Sequence, residues 1–318
     1  MIYNIFKLHF NSPVHFGKGR LSGTTNTIYA DTLFSALCSE AIKIYGDDGA
    51  DIMCSLVKEG GLRISDTMPF FDDVLFIPKP IIAVKGKERQ KDDNSSKLKK
   101  AFKKLTYIPT DDLDVYLKGE YEPARAVEML SDIGYADVSA KAAIIRNDDN
   151  LPYSVGTYRF NEGCGLYFIA GAENVDVLYK LSDVMDSLSY TGIGGEISSG
   201  YGNFTYTCSE SIPKVLKEGL DTEGDMYISL SLSMAKDSEL DNIIDESCYE
   251  LIKRSGFVAS ERYSLNPLRK KDFYCFKAGS CFRKKFEGDI FDVSSVNGGG
   301  RHSVYKYAVP MLLGIKRK

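Results

Sequence analysis

The chain has 318 residues, 43% of them hydrophobic, enough to bury a sizeable core and to make two domains. Its seven cysteines form no C-x-x-C pair and are odd in number, so neither a zinc site nor a secreted disulfide framework is expected, and the compartment is a reducing one. A formal net charge of −4 excludes a protein that is basic all over and leaves any nucleic-acid contact to local surface.

Residues Ile2 to Phe10 alternate in part, are rich in β-favouring types and end at Asn11-Ser12-Pro13, which predicts a strand. The same N-terminus lacks the basic-then-apolar layout of a signal peptide. Asp31 stands where a helix N-cap would, and Leu33, Phe34, Leu37, Ala41 and Ile44 follow at helical spacing until Tyr45-Gly46, which predicts a helix. Phe70 to Ile77, aromatic and branched between Pro69 and Pro78, reads as a second strand. Lys79 to Lys104 carries ten basic and three acidic residues. Within it, residues 85 to 104 are too polar for a core and read as an insertion that is mobile or orders on a partner.

Gly165 to Ala170 reads as a strand, Val175 to Leu188 as a helix and Asn203 to Thr207 as a closing strand. The resulting order predicts an α+β chain whose first part, residues 1–208, is a ferredoxin-like domain related to RNA-recognition motifs, with the insertion at about 85–135. A second, similar domain is read over 209–318: Met226 to Ala235 as a strand, Asp241 to Ser255 as a helix, and Asp272 to Phe282 and Val304 to Gly314 as strands. Charge divides this half, with nine acidic and one basic residue from Asp221 to Glu250 but thirteen basic and four acidic from Arg262 to Lys318. Such runs are either solvated faces or surfaces turned to partners of opposite sign. No apolar run approaches the roughly 18 residues of a membrane span, so a cytoplasmic protein without membrane contact is expected.

Three constellations could carry chemistry. In Thr191 to Gly202, TGIGGEISSGYG, five of twelve residues are Gly. Gly192, Gly194, Gly195 and Gly200 let backbone approach an anion closely, Ser198 and Ser199 add hydroxyl donors, and Tyr201 adds a ring. The loop suits either phosphate binding or a long turn needing positive φ. It follows a helix and precedes a strand, the reverse of a dinucleotide fingerprint, and lacks the G-K-[ST] of a P-loop. The second constellation, His15-Phe16-Gly17-Lys18-Gly19-Arg20, combines an aromatic for stacking, glycines for close approach and two cations for phosphate. A lone His such as His15 is more often structural than a general base. The third, Lys141 to Phe160, interleaves Arg146, Tyr153, Tyr158 and Arg159 on an expected hairpin that either wedges against nucleotides or is plain surface. Asp148 and Asp149 adjoin it, but successive strand residues point to opposite faces, so no metal site is expected there.

These residues carry a resemblance. The HFGKGR segment after the first strand, the helix Asp31-Thr32-Leu33-Phe34-Ser35-Ala36-Leu37, the glycine loop before a strand, and the C-terminal segments Phe276 to Ser280 and Val304 to Tyr307 together resemble the repeat-associated mysterious proteins (RAMPs) of CRISPR systems. Among them, the pattern is most similar to the fourth Csm subunit of type III-A effectors. The resemblance implies two ferredoxin-like domains and a non-catalytic subunit that grips the 5′ repeat-derived tag of the CRISPR RNA. It implies docking to a large polymerase-like subunit and to an adjacent backbone RAMP subunit, and no cofactor or metal. Family glycine loops often carry a basic residue where this chain has Glu196. Backbone amides of Gly194, Gly195 and Ser199 would then hold phosphate together with Lys18, Arg20 and Arg146, while Glu196 points to a protein neighbour or pairs with a basic residue. The alternatives are a CRISPR RNA-processing endoribonuclease of the same superfamily, the equivalent type III-B subunit, and a protein scaffold without RNA contact.

Overall fold

A computed structural model describes residues 1–83, 100–143, 151–258, 264, 266, 268–295 and 300–316. Its centre is a mixed α/β arrangement in which a seven-stranded antiparallel sheet runs in the order β11-β1-β10-β5-β6-β7. The strands are Phe204–Ser209, Ile2–Phe10, Cys164–Ala172, Met68–Phe71, Val74–Pro78 and Tyr107–Pro109, with β4, Leu62–Ile64, also paired to β10. Helices α1, Ala30–Tyr45, α2, Gly49–Lys58, and Val175–Thr191 cover one face. Phe6, Leu8, Leu166 and Phe168 turn to that face, whereas Ile5, Tyr167 and Ile169 turn to the other.

The second face is also buried, which is why β10 reads as a continuous apolar run rather than an alternating one. It is covered by the C-terminal half, where β12, Met226–Ser229, sits between β15, Cys281–Phe282, and β18, Leu312–Ile315. It is also covered by part of the expected insertion. Residues 84–99 lie outside the described residues, but Phe102 packs against this core, and Leu105, Ile108, Leu113, Tyr116 and Tyr121 are buried in it. The part of the expected insertion after residue 104 is therefore core, and within residues 85–104, expected to be too polar for a core, Phe102 packs against it. Its apolar residues are spread among charged ones, so window composition hides them.

Other expectations are corrected by local chemistry. Phe70 to Ile77 is a hairpin, β5 and β6, turned at Asp72 with φ 50° and at Asp73. Asp31 caps nothing: Tyr29 is the N-cap of α1, and the Asp31 carboxylate turns inward to Arg254 and Lys306. The helix expected over Asp241 to Ser255 instead spans Asp237–Ile244, begun by the Glu239 carboxylate accepting from the Lys236 amide at 2.9 Å. Leu251–Arg254 is β13 and pairs with β14, Phe273–Phe276. The strand expected over Asp272 to Phe282 breaks at Gly279, φ 94°, and that over Val304 to Gly314 breaks at Pro310, so Tyr305–Tyr307, β17, and β18 are separate. Tyr307 lies in the first core against Phe34, and both cores draw residues from either side of residue 208. Among the described residues no helix is long and apolar enough to cross a membrane.

Candidate nucleic-acid interface

The site grows from the end of β1. After Pro13 the chain crosses to β9, Leu151–Phe160, where Val14 exchanges both backbone hydrogen bonds with Tyr158 at 2.8 Å. His15 is buried, and its Nδ1 lies 2.6 Å from the Gly156 carbonyl oxygen. A carbonyl only accepts, so Nδ1 carries the proton and donates. Phe16 follows into the core beside Phe10, so it is a packing residue and not an exposed base-stacking platform. The chain then turns over a small hairpin, β2, Phe16–Lys18, and β3, Arg20–Thr25. Gly19 at its tip takes φ 76°, leaving Lys18 opposite Arg20 with both side chains exposed. Like charges directly opposite on a hairpin repel, so an anion between them is favoured.

The glycine loop is laced onto this corner. Gly195 N–H donates to the His15 carbonyl and Gly202 N–H to the Pro13 carbonyl, each at 2.9 Å. A Cβ at Gly195 would stand 2.7 Å from His15 Cδ2, closer than carbon atoms approach. The glycines thus serve close packing against the first loop. The Gly195 amide is used up there, and the Ser199 amide donates to the Glu196 carbonyl at 2.9 Å, so neither is available for phosphate as expected. Gly192 is buried beneath the loop, its amide bonded to the Leu188 carbonyl. The exposed rim consists of Gly194, Ser198, Ser199 and Gly200, with Tyr201 half-buried beside them.

The expected hairpin is present as β8, Gly134–Ala143, paired with β9. Tyr153 is half-buried and faces Lys141 across the ladder. Tyr158 is a core residue with its ring 5.0 Å from that of Phe160, because strand alternation turns it inward. It therefore does not face a ligand. Arg159 is exposed opposite Tyr135, six residues and about 20 Å along the strand from Tyr153. Arg146, Asp148 and Asp149 lie outside the described residues.

One ion pair escaped the residue-by-residue reading. Lys141 Nζ donates to Glu196 Oε2 at 2.7 Å and sits over the Tyr201 ring, 4.5 Å from its centroid. The bond to Glu196 raises the Lys141 ammonium above its ordinary value, against a smaller downward push from burial. The sequence signal was the acid in the glycine loop, which calls for a cation without saying which. His15 thus gathers the first loop, the glycine loop and β9 into one corner. Its outer surface offers two exposed cations, two serine hydroxyls and two tyrosine rings, a composition suited to a sugar-phosphate chain with unpaired bases.

Comparison with known proteins gives consistent matches. The family model of the CRISPR Csm4 C-terminal domain matches residues 222–315. The CRISPR system Cms protein Csm4 of Mycobacterium tuberculosis is 38% identical over 98% of this chain and 97% of its own length. The protein of the same name from Streptococcus thermophilus is 30% identical over 99% of this chain and 100% of its own. Among solved structures, a chain of the Csm3-Csm4 subcomplex of the type III-A CRISPR-Cas interference complex shares the fold with a TM-score of 0.65 and 19% identity, covering 99% of both chains. A chain of the Csm1-Csm4 cassette in complex with AMPPNP does so with a TM-score of 0.61 and 16% identity, covering 98% and 97%.

Proposed function

Because the chain belongs to the Csm4 family of CRISPR proteins, we propose that it is a non-catalytic structural subunit of a cytoplasmic type III-A RNA-guided effector complex, holding the 5′ repeat-derived tag of the CRISPR RNA. The observation that carries this reading is the corner at His15, where the segment that bears the exposed, paired Lys18 and Arg20 is hydrogen-bonded to the glycine loop. Phosphates are held by these two side chains and by the Ser198 and Ser199 hydroxyls, and bases rest on Tyr153 and Tyr201. The subunit docks to a large polymerase-like subunit and an adjacent backbone RAMP, as the complexes named for its structural relatives support. The Csm relatives favour type III-A over its III-B equivalent.

We read residues 1–208 as the N-terminal ferredoxin-like domain, because the four strands expected of it take the spatial order 4-1-3-2 as β11-β1-β10-β5, all antiparallel. Residues 209–318 form the second domain of the proposal, and the family match at 222–315 falls within it. Against the endoribonuclease alternative stands the state of His15. Its Nδ1 is committed to Gly156, the residue is 6% exposed, and Gly195 packs against it, so it is poorly placed to take a proton from a ribose hydroxyl.

The test is to co-express the tagged chain with its neighbouring genes, purify at high salt and sequence the RNA that copurifies. Guide-length RNAs sharing one 5′ tag are expected; their absence while protein partners remain would leave a scaffold. Lys18→Ala and Arg20→Ala are each expected to weaken RNA retention and to lower the slope of log affinity against log salt by about 0.7, one single-strand phosphate's worth. Unchanged slopes in both variants would remove these residues from the interface.

A further inference from the structure

Hairpin β8–β9 is a ribbon of ten residues per strand that, among the described residues, joins no larger sheet. An isolated two-stranded ribbon is marginal in water, so its outer half needs an anchor. Val14 and His15 hold β9 at Tyr158 and Gly156, and a Cβ at Gly156 would overlap the Ser22 carbonyl, so that end is tightly seated. Beyond Gly156 the contacts to the body change character. Ser154 and Leu151 are exposed, and among the described residues an attachment there runs from Lys141 to Glu196 over Tyr201.

That attachment is built from both sides. The Lys141 and Glu196 side chains are 19% and 23% exposed, so water screens the pair only in part. Glu196 occupies a left-handed position, φ 61°, where its neighbours Gly195 and Gly200 are the residue type more easily accommodated. Its carboxylate meets an ammonium that already lies on an aromatic face, the geometry of a cation–π contact.

We propose that the Lys141–Glu196 pair, seated on Tyr201, is a clasp fixing the outer half of the hairpin to the glycine loop. Lys141 is thereby a positioning residue for the RNA and not a phosphate ligand. The proposal rests on the RNA-binding reading of this corner for its consequence, but not for its geometry. A phosphate brought to Lys141 would stand beside the Glu196 carboxylate, two anions on one cation, whereas Lys18 and Arg20 face each other with no such acid between them among the described residues. The clasp instead holds Tyr153, the cross-strand neighbour of Lys141, at a fixed distance from the serine rim.

The experiment uses the full chain in three forms, Lys141→Met, Glu196→Gln, and the exchanged pair Lys141→Glu with Glu196→Lys. Amide hydrogen exchange over residues 151–156 is measured without RNA, and affinity for a synthetic single-stranded RNA carrying the repeat-derived 5′ sequence is measured across a salt series. Each single variant is expected to speed exchange about three- to tenfold, and the exchanged pair to restore only the share of the protection that the ion pair supplies, because a carboxylate at 141 gains nothing from the Tyr201 face. RNA affinity should fall in both single variants with the salt slope unchanged. A lower slope in Lys141→Met with unaltered exchange would make Lys141 a phosphate ligand and overturn the clasp. Tighter RNA binding in Glu196→Gln would make the acid a competitor of phosphate and overturn it equally. If the unmodified chain binds no RNA, the functional reading fails, and the exchange rates alone still decide the clasp.

Discussion

Replacing Asp31 by Ala is expected to destabilise the chain by about 3–5 kcal/mol, the usual cost of stripping a buried carboxylate from cations that stay behind. Asp31 is 5% exposed and accepts from Arg254 Nε at 2.9 Å, Arg254 Nη2 at 3.0 Å and Lys306 Nζ at 2.6 Å. Burial pushes its carboxyl upward, but Lys306 and Arg254 together outweigh burial and hold it below the ordinary carboxylate value. Stability from this depressed group is present above the unfolded value near pH 3.9 and is lost as pH falls through the folded one. The Arg254 guanidinium also lies 4.6 Å from the centre of the Tyr29 ring, so helix α1, β13 and β17 meet at one point. Urea unfolding near neutral pH measures the loss, and a change under about 1 kcal/mol would mean that the cations find water without cost. Replacing Asp31, Arg254 and Lys306 together by Leu, Met and Met is expected to recover most of the stability, because the desolvation cost of the charges goes with them.

This cluster also marks where reading the chain from its residues stops. Strand β1, helix α1 and the helix over Val175–Thr191 were legible because each carries a periodic apolar face that its neighbours bury, and β10 because it is a short continuous apolar run. The glycine loop and the HFGKGR segment were legible as a pair, and the structure joins them through the His15 carbonyl and the Gly195 amide. Their chemistry was harder to assign. Phe16 and Tyr158 sit among cations and glycines, the sequence pattern of base-stacking residues, yet strand alternation turns both inward. An acid at the start of a helix resembles a cap, and only a partner 223 residues away shows that Asp31 is an ion-pair centre. Glu196 and Lys141 are 55 residues apart, so no window holds both. Buried residues after the lysine run were masked by charged neighbours for the same reason: a core contact depends on the fold, whereas composition is read from adjacent residues.

Asp66 is expected to respond to pH in the opposite sense from Asp31. It is 4% exposed in the loop between β4 and β5, and its Oδ1 accepts from the Ala30 amide at 2.7 Å and the Leu232 amide at 2.8 Å. Burial raises its pKa to about 7; the Leu232 and Ala30 amides pull it down, and the Asp31 carboxylate adds a further upward push. The folded chain therefore keeps a proton that the unfolded chain releases near pH 3.9. Between about pH 4 and pH 7 the native state binds more protons, so stability from this group falls as pH rises, by at most about 1.4 kcal/mol per pH unit, and levels off above pH 7. Asp66→Asn keeps an oxygen for both amides and cannot ionise, so its stability relative to the unmodified chain should rise from pH 5 to pH 7 and then stay constant. Asp66→Ala removes the acceptor and should cost about 2–6 kcal/mol at pH 5, since two buried amides lose their partner. Urea unfolding of the three chains at pH 5, 6, 7 and 8 measures both effects. A constant offset between Asp66→Asn and the unmodified chain across that range would show that Asp66 is ionised throughout, with the Leu232 and Ala30 amides and Arg254 together outweighing burial.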